Sequence, residues 1–172
     1  MDIIQLGNPQ LRDIAQPLSP DILKSHRAFF QDLQETMAFH NGVGIAAPQV
    51  GKSVRAFIVA SKPNSRYPDA PKMEPTLVIN PELVWHSEET ALDWEGCLSI
   101  PGIRAKVPRS VSIAVRYMTL EGEYVECRFD GFIARIFQHE LDHLNGVVFL
   151  DRADSRNFAT EAEYLKQLSA NR

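Results

Sequence analysis

The sequence predicts an α+β fold, in which antiparallel or mixed β-sheets pack around a central helix and a further helix lies towards each end of the chain. Two segments show the three- and four-residue apolar spacing of amphipathic helices, and segments between them alternate apolar and polar residues as half-buried strands do. Helices and strands are grouped rather than interleaved, which disfavours a parallel α/β sheet. No repeat or linker divides the 172 residues, so we expect one domain over residues 1–172.

The first helix is predicted to begin at Ser19-Pro20, because serine favours the N-cap and proline the first turn. Asn41-Gly42 predicts its end. Its apolar stripe consists of Ile22, Phe29, Phe30, Leu33 and Met37.

The middle of the chain is predicted to form strands. Residues 54–60 form the first, and the prolines within residues 61–75 predict a surface loop. Residues 76–80 and 82–85 are expected to form two short strands that Pro81 separates.

A hairpin is predicted next, because residues 111–117 and 124–129 both alternate around a turn at 120–123. Cys127 then faces inward as a small core residue. The central helix is expected from Gly131 to Leu144, with Asp130 as N-cap and Asn145-Gly146 as its stop. A last helix is expected over about residues 160–168.

Composition excludes several classes of protein. The formal net charge of -4 and the scattered basic residues give no reason to expect direct reading of nucleic acid. The chain lacks both a signal peptide and a long apolar run, so we expect no membrane partner. Two cysteines make no disulfide framework, which favours a reducing cytoplasm; a single Cys97–Cys127 bridge is the alternative.

The chemistry is concentrated in His139-Glu140-Leu141-Asp142-His143, within the central helix. Residues four apart lie one turn apart on the same face, so both imidazoles can bind one ion. Glu140 is placed to exchange a proton with a water on that ion, as metal-assisted hydrolysis requires. The alternative is an amphipathic helix with two incidental histidines, but the apolar neighbours would bury them without partners.

A catalytic ion needs a third protein ligand. The long metalloprotease signature would place a histidine at position 149, where this chain has Phe149. Glu161 and Glu163 suit a second protease pattern, although both lie in a polar segment at the chain end, where a solvated helix face explains them better. Cys97 is the stronger candidate, because it lies between glycines and a proline where irregular backbone is expected, and a bound thiol is held as thiolate. We expect His26, His40 and His86 to be structural or exposed.

Three separated motifs resemble those of the peptide deformylase family. They are Gly42-Val43-Gly44-Ile45-Ala46-Ala47-Pro48-Gln49, Glu95-Gly96-Cys97-Leu98-Ser99 and Gln138-His139-Glu140-Leu141-Asp142-His143. The opening Gly7-Asn8-Pro9-Gln10-Leu11-Arg12 is also similar to the family's start, so the resemblance spans most of residues 1–152. All three motifs in order are highly specific.

The resemblance implies a hydrolase that removes the N-formyl group from formylmethionine at the start of new polypeptides and releases formate. Cys97, His139 and His143 would ligate one divalent ion, with Fe²⁺ as the native metal and Zn²⁺ or Ni²⁺ as substitutes. The ion would activate a water as nucleophile, with Glu140 as general base and acid. The Gln49 side chain and the Leu98 backbone N–H would stabilise the oxyanion.

The resemblance also implies a substrate site. Val43, Gly44 and Gly96 would pair with the peptide main chain, and Arg104 would lie at the substrate entrance. Phe132 and Ile136 would line an apolar pocket for the methionine side chain, although a plain core role is equally compatible with them. Gly42 and Gly44 also have a simpler interpretation as turn residues.

One departure concerns the expected partners, which are formylmethionyl nascent peptides and, transiently, the ribosome. Family members often carry a basic C-terminal helix that docks on the ribosome. Residues 160–172 here are not basic, because the negative charges of Glu161 and Glu163 balance the positive charges of Lys166 and Arg172. Three rival functions stay open. They are a deformylase-like paralogue with altered substrate preference, a metallopeptidase that uses a glutamate as third ligand, and a metal-binding or ribosome-associated protein without catalysis.

Overall fold

The structure, a computed structural model, describes residues 1–64 and 67–170. Three α-helices lie in these ranges: α1 (Arg27–Phe39), α2 (Gly131–Leu144) and α3 (Glu161–Ala170). The strands there are β1 (Gly44–Ala46), β2 (Ala56–Ser61), β3 (Met73–His86), β4 (Thr90–Cys97), β5 (Ile100–Ser110), β6 (Ser112–Met118), β7 (Tyr124–Asp130) and β8 (Phe158–Thr160). The grouping of strands and helices confirms the predicted α+β class.

The strands form two antiparallel sheets. The larger has the order β1-β2-β3-β6-β7, and the smaller has the order β4-β5-β8. Every pairing of neighbouring strands in these sheets is antiparallel. Helix α2 packs on the larger sheet and is hydrogen-bonded through Arg135 to the backbone of the smaller one. It therefore occupies the central position that the sequence predicts.

Strand β2 shows why the core lies on both sides of the larger sheet. Phe57 packs in one apolar cluster with Phe137 of α2, while Ile58 on the opposite face packs with Leu33 and Met37 of α1. Successive side chains of a strand point to opposite faces, so a strand covered by a helix on each side is apolar throughout. This explains the uninterrupted burial of Ala56–Ser61.

The first predicted helix is two segments in the structure. Pro20–His26 is a 3₁₀-helix, and α1 begins only at Arg27. Ser19 occupies the N-cap position, but its hydroxyl binds the Asp21 carboxylate instead of a backbone N–H. Because a 3₁₀-helix has three residues per turn, the apolar stripe is shifted: Leu23 is buried and Ile22 is exposed.

The predicted break at Pro81 is wrong, because β3 runs continuously from Met73 to His86. The register with β6 shifts between Ile79 and Glu82, so Pro81 lies in a bulge, where its missing N–H costs no ladder hydrogen bond. The predicted loop of residues 61–75 also ends earlier, since Met73–Pro75 belong to β3; its residues 65 and 66 lie outside the described part of the chain.

The hairpin prediction is confirmed by β6 and β7. Cys127 lies opposite Val115 and packs against the main apolar cluster, as expected of a small core residue. Both Cys97 and Cys127 are free thiols. Helix α2 has the predicted bounds, although Asp130 makes no capping hydrogen bond. Across the described ranges, no helix is both long and apolar enough to cross a membrane.

Candidate metal centre

Helix α2 presents His139 and His143 to the same side. Their ring centroids are 5.0 Å apart, and both side chains are buried. Burial, together with the neighbouring His139, lowers the pKa of His143 well below its ordinary value. A ring that stays neutral offers a lone pair, which is the form that binds metals.

Cys97 approaches these rings from the end of β4. Its Sγ lies 3.2 Å from Nε2 of His143. One candidate ligand atom from each of Cys97, His139 and His143 lies within 4.8 Å of the other two. The structure thus brings together the three predicted ligands from separate elements. A thiol and two imidazoles are the donors that Zn²⁺ and related transition metals prefer.

One buried polar atom beside the candidate ligands indicates a place for a small polar ligand. Oε2 of Glu140 has no hydrogen-bond partner among the described residues. Buried polar atoms are rarely unsatisfied in native proteins, and exceptions mark functional sites or bound groups. The residues present therefore fit a metal ion.

Glu95 orients the first histidine. Its Oε2 lies 2.9 Å from Nδ1 of His139, which leaves Nε2 of that ring for an ion. Burial alone would raise the pKa of Glu95, but hydrogen bonds from His139 and Arg109 outweigh it and hold the pKa far below its ordinary value. Arg135 of α2 adds a third contact at 2.8 Å. The carboxylate is therefore ionised and fully paired.

The ion pairs continue beyond Glu95 towards the surface. Arg109 binds Glu95 at 2.9 Å and Asp142 at 2.5 Å, and Asp142 in turn accepts hydrogen bonds from Arg152 at 2.6 Å. Sequence reasoning gave no role to any of these four residues. The only signal was position: Glu95 and Asp142 lie inside motifs that carry the metal ligands.

Glu140 lies beside the candidate ligands, with its side chain buried against β1. A Cβ built on Gly44 would lie 2.8 Å from Cδ of Glu140, so a glycine is required at that position. Burial raises the pKa of Glu140 to about 7. A carboxyl group with this pKa can both take up and release a proton near neutral pH. Gly44 therefore makes room for Glu140, and the turn interpretation does not apply to it.

Gln49 is fixed at both ends of its amide. Its Oε1 accepts a hydrogen bond from the Ala46 N–H at 2.8 Å, and its Nε2 donates to Ser99 Oγ at 3.1 Å and lies 3.4 Å from Cys97 Sγ. Leu98 follows Cys97 in the turn between β4 and β5. Gln49 and Leu98 thus both lie beside the candidate ligands, as expected. Ser99 is a contact that the sequence did not predict.

A cavity opens in front of this cluster. All the residues predicted to bind substrate line it: Val43, Gly44, Gly96, Arg104, Phe132 and Ile136. Tyr67 and Trp94 also line it and were not predicted. The Phe132 ring contacts the Tyr67 ring, with centroids 4.9 Å apart. Ile136 additionally belongs to the main core cluster, so the core interpretation holds for it as well.

The glutamates of the rival protease pattern are occupied elsewhere. Glu161 binds Arg104 at 3.0 Å, and Glu163 binds Lys166 at 2.6 Å. Neither belongs to a metal-competent cluster in residues 1–64 and 67–170. His40 and His86 are exposed and His26 is half-buried, away from the cavity. Arg172, which counts in the charge of the C-terminal tail, lies outside the described residues.

Comparison with known proteins gives consistent findings. A sequence model of the family described as Polypeptide deformylase matches residues 1–159. The chain is 51% identical to Peptide deformylase 2 of Nostoc sp., over 99% of this chain and 96% of that protein. It is 42% identical to Peptide deformylase 1 of Prochlorococcus marinus, over 94% of this chain and 85% of that protein.

Solved structures agree. A class I type b peptide deformylase from Acinetobacter baumannii with Met-Ala-Ser bound superposes with a TM-score of 0.85 and 48% identity, covering 88% of this chain and 97% of that one. A peptide deformylase from Thermotoga maritima gives a TM-score of 0.79 and 41% identity, covering 89% and 97% of the two chains.

Proposed function

The chain belongs to the polypeptide deformylase family, and from this premise we propose that its metal centre removes the N-formyl group from formylmethionine at the start of nascent polypeptides, releasing formate. It is a metal-dependent hydrolase acting on a linear amide. The observation that carries this conclusion is the meeting of one thiol and two imidazoles beside the buried carboxyl group of Glu140. A deformylase-like paralogue and a metallopeptidase are not favoured.

Cys97, His139 and His143 are the residues that hold the ion. When bound, the ion would lower the pKa of a water from its bulk value towards about 7 and would polarise the formyl carbonyl. We propose Fe²⁺ as the native metal, with Zn²⁺ or Ni²⁺ as substitutes, since mixed thiolate and imidazole donors suit all three. Metal analysis of protein purified without oxygen distinguishes among them.

Glu140 is the proton carrier in this proposal. It takes a proton from the attacking water and delivers it to the nitrogen of the leaving amine. Its pKa of about 7, which burial raises, suits both transfers at neutral pH. Its unpartnered Oε2 leaves one oxygen ready to accept that proton.

Gln49 and Leu98 stabilise the negative oxygen that develops on the formyl carbon. Nε2 of Gln49 and the backbone N–H of Leu98 act as donors, and both residues border the cavity. Loss of one such donor typically costs about 3 kcal/mol of transition-state stabilisation.

Different residues of the cavity bind different parts of the substrate. Val43, Gly44 and Gly96 pair with the peptide main chain, and Phe132 and Ile136 receive the methionine side chain. Arg104 lies at the rim. These assignments are supported by one observation: all six residues line the same cavity.

The substrate also suggests where the protein works. Formylmethionyl chains emerge at ribosomes, so we place the reaction in the cytoplasm with a transient ribosome contact. The formal net charge of -4 supports a role without direct nucleic acid or membrane binding. We further propose that residues 1–172 act as one domain, since α2 links both sheets.

The proposal is tested by formate release from a formyl-Met-Ala-Ser peptide by the iron-loaded protein. Glu140→Gln should lower kcat at least about 100-fold, because it removes the proton carrier while keeping the side chain's size. The variant should retain its metal. Glu163→Gln, an exposed glutamate paired only with Lys166 in the described chain, is the matched control and should keep full activity. Absence of formate from the wild-type protein, or cleavage of internal peptide bonds instead, would overturn the proposal.

A further inference from the structure

Arg104 is a buried cation that lines the cavity. Its side chain is only 3% exposed. It lies in β5 next to Ala105, which pairs with Glu95 of β4, and so it faces Gly96. A Cβ on Gly96 would lie 2.7 Å from Cζ of Arg104, which means that the guanidinium lies against the β4 backbone beside Cys97. A residue other than glycine at position 96 would displace it.

Three side chains hold this guanidinium. Its Nη1 donates to the Tyr67 hydroxyl at 2.7 Å, and its Nη2 donates to Oε1 of Glu161 at 3.0 Å. The Tyr164 ring lies over it, with its centroid 5.0 Å from Cζ. A buried cation needs such partners, because desolvation without them is costly. The position of Arg104 therefore depends on residues distant in sequence.

Two of these partners belong to the C-terminal segment, beyond residue 159, where the match to the family model ends. Strand β8 pairs with β5 so that Ala159 lies opposite Arg104. This pairing delivers Glu161, two residues later, to the guanidinium. Tyr164 follows within α3 and is anchored against Trp94, with ring centroids 5.3 Å apart. Glu163, by contrast, is exposed and pairs with Lys166.

We propose that Glu161 and Tyr164 are positioning residues for substrate binding, acting through Arg104, so that α3 forms part of the substrate site. The guanidinium has further N–H groups besides those that bind Tyr67 and Glu161. Held in place, these donors face the cavity and bind main-chain carbonyl oxygens of the peptide downstream of the formylmethionine. This inference rests on the proposed function.

The test compares Glu161→Gln with its matched control Glu163→Gln on the same helix. Glu161→Gln should raise KM for formyl-Met-Ala-Ser about fivefold, because a neutral amide holds the guanidinium less firmly. Its kcat, metal content and melting temperature should stay close to wild type. Glu163→Gln should change none of these quantities.

A double-mutant cycle with Arg104→Lys asks whether Glu161 acts through the arginine. On the Arg104→Lys background, Glu161→Gln should raise KM no further. Additive effects on KM, or a lower melting temperature with KM unchanged, would show a merely structural ion pair and overturn the inference.

Binding of the unformylated peptide Met-Ala-Ser, measured by calorimetry on metal-loaded protein, gives a readout without turnover. The inference is supported if Glu161→Gln binds this peptide more weakly than wild type while Glu163→Gln binds it as wild type does. Equal binding by wild type and Glu161→Gln, or no binding by wild type, overturns it. Failure of the proposed function is a separate result, seen as the absence of formate from wild type.

Discussion

At the scale of single residues, the site depends on where a side chain is missing. Gly44 has no Cβ, and the carboxyl group of Glu140 fills the space that a Cβ would occupy. Gly44 sits in β1 and Glu140 in α2, the helix that carries two of the candidate ligands, so a methyl group at position 44 would displace the Glu140 side chain from its place beside those ligands.

Gly44→Ala should therefore lower kcat at least about 100-fold, since displacing a catalytic group by about 1 Å has this effect. Steady-state formate release measures it. Gly42→Ala is the control: its Cβ would meet side-chain atoms of Leu98 and Met37 at 3.1 and 3.2 Å, which can shift, and the Gly44 carbonyl oxygen at 3.4 Å, an ordinary contact distance. A similar loss in both variants would contradict the expected role of Gly44.

The candidate metal ligands could be predicted from the sequence because each leaves a local signal. His139 and His143 are one helical turn apart, and Cys97 lies among glycines and a proline. The buried charges could not be predicted. Arg109 and Arg135 interrupt the apolar pattern, and their burial is explained by three-dimensional contacts with Glu95 and with other acceptors, which the sequence does not show.

At the scale of elements, Glu95 connects β4 to α2. It binds His139 and Arg135 on the helix and Arg109 on β5. The orientation of a candidate metal ligand, His139, is thus fixed by the same carboxylate that joins the smaller sheet to the central helix.

Glu95→Gln should lower the free energy of unfolding by about 3 kcal/mol, because it leaves the buried Arg135 without a carboxylate partner and Arg109 with Asp142 alone. It should also weaken metal affinity about 10- to 100-fold, as loss of a partner of a ligating histidine typically does. Urea unfolding and metal titration measure the two effects. Glu88→Gln, at an exposed position, is the control. Unchanged metal affinity would show that His139 needs no such support.

Elements were predicted where their pattern is regular. The β6–β7 hairpin and α2 alternate or repeat cleanly, and both were predicted correctly. The smaller sheet was missed. Strand β5 contains Pro101 and Pro108 and buries Arg104 and Arg109, so neither strand propensity nor apolar alternation marks it. Its stability comes from pairing with β4 and β8, which sequence patterns do not show.

At the scale of the whole molecule, the candidate ligands come from two layers. Cys97 belongs to the smaller sheet, and the histidines belong to the helix packed on the larger one. An ion bound by all three joins these layers in the folded state only, and so its binding adds to the stability of the fold.

Removal of the metal should accordingly lower the melting temperature. At a metal concentration about 100 times Kd, binding contributes about 2.7 kcal/mol, which corresponds to roughly 5–10 °C for a chain of this size. Thermal unfolding with and without chelator measures the shift. Cys97→Ser should abolish it, whereas Cys127→Ser, which alters only a half-buried core thiol, should retain it. A full shift in Cys97→Ser would exclude the thiol as a ligand.

The Gln49 amide illustrates how much of this arrangement exists before any peptide arrives. A glutamine side chain can normally turn end for end, exchanging its donor and its acceptor. Here only one of these orientations is compatible with the Ala46 N–H, which donates its hydrogen bond to the side-chain oxygen Oε1. The amino group is thereby aimed permanently at the sulfur and the cavity. Each catalytic cycle can start without rotation of this side chain. The conformational entropy of the Gln49 side chain is lost when the protein folds and not during turnover.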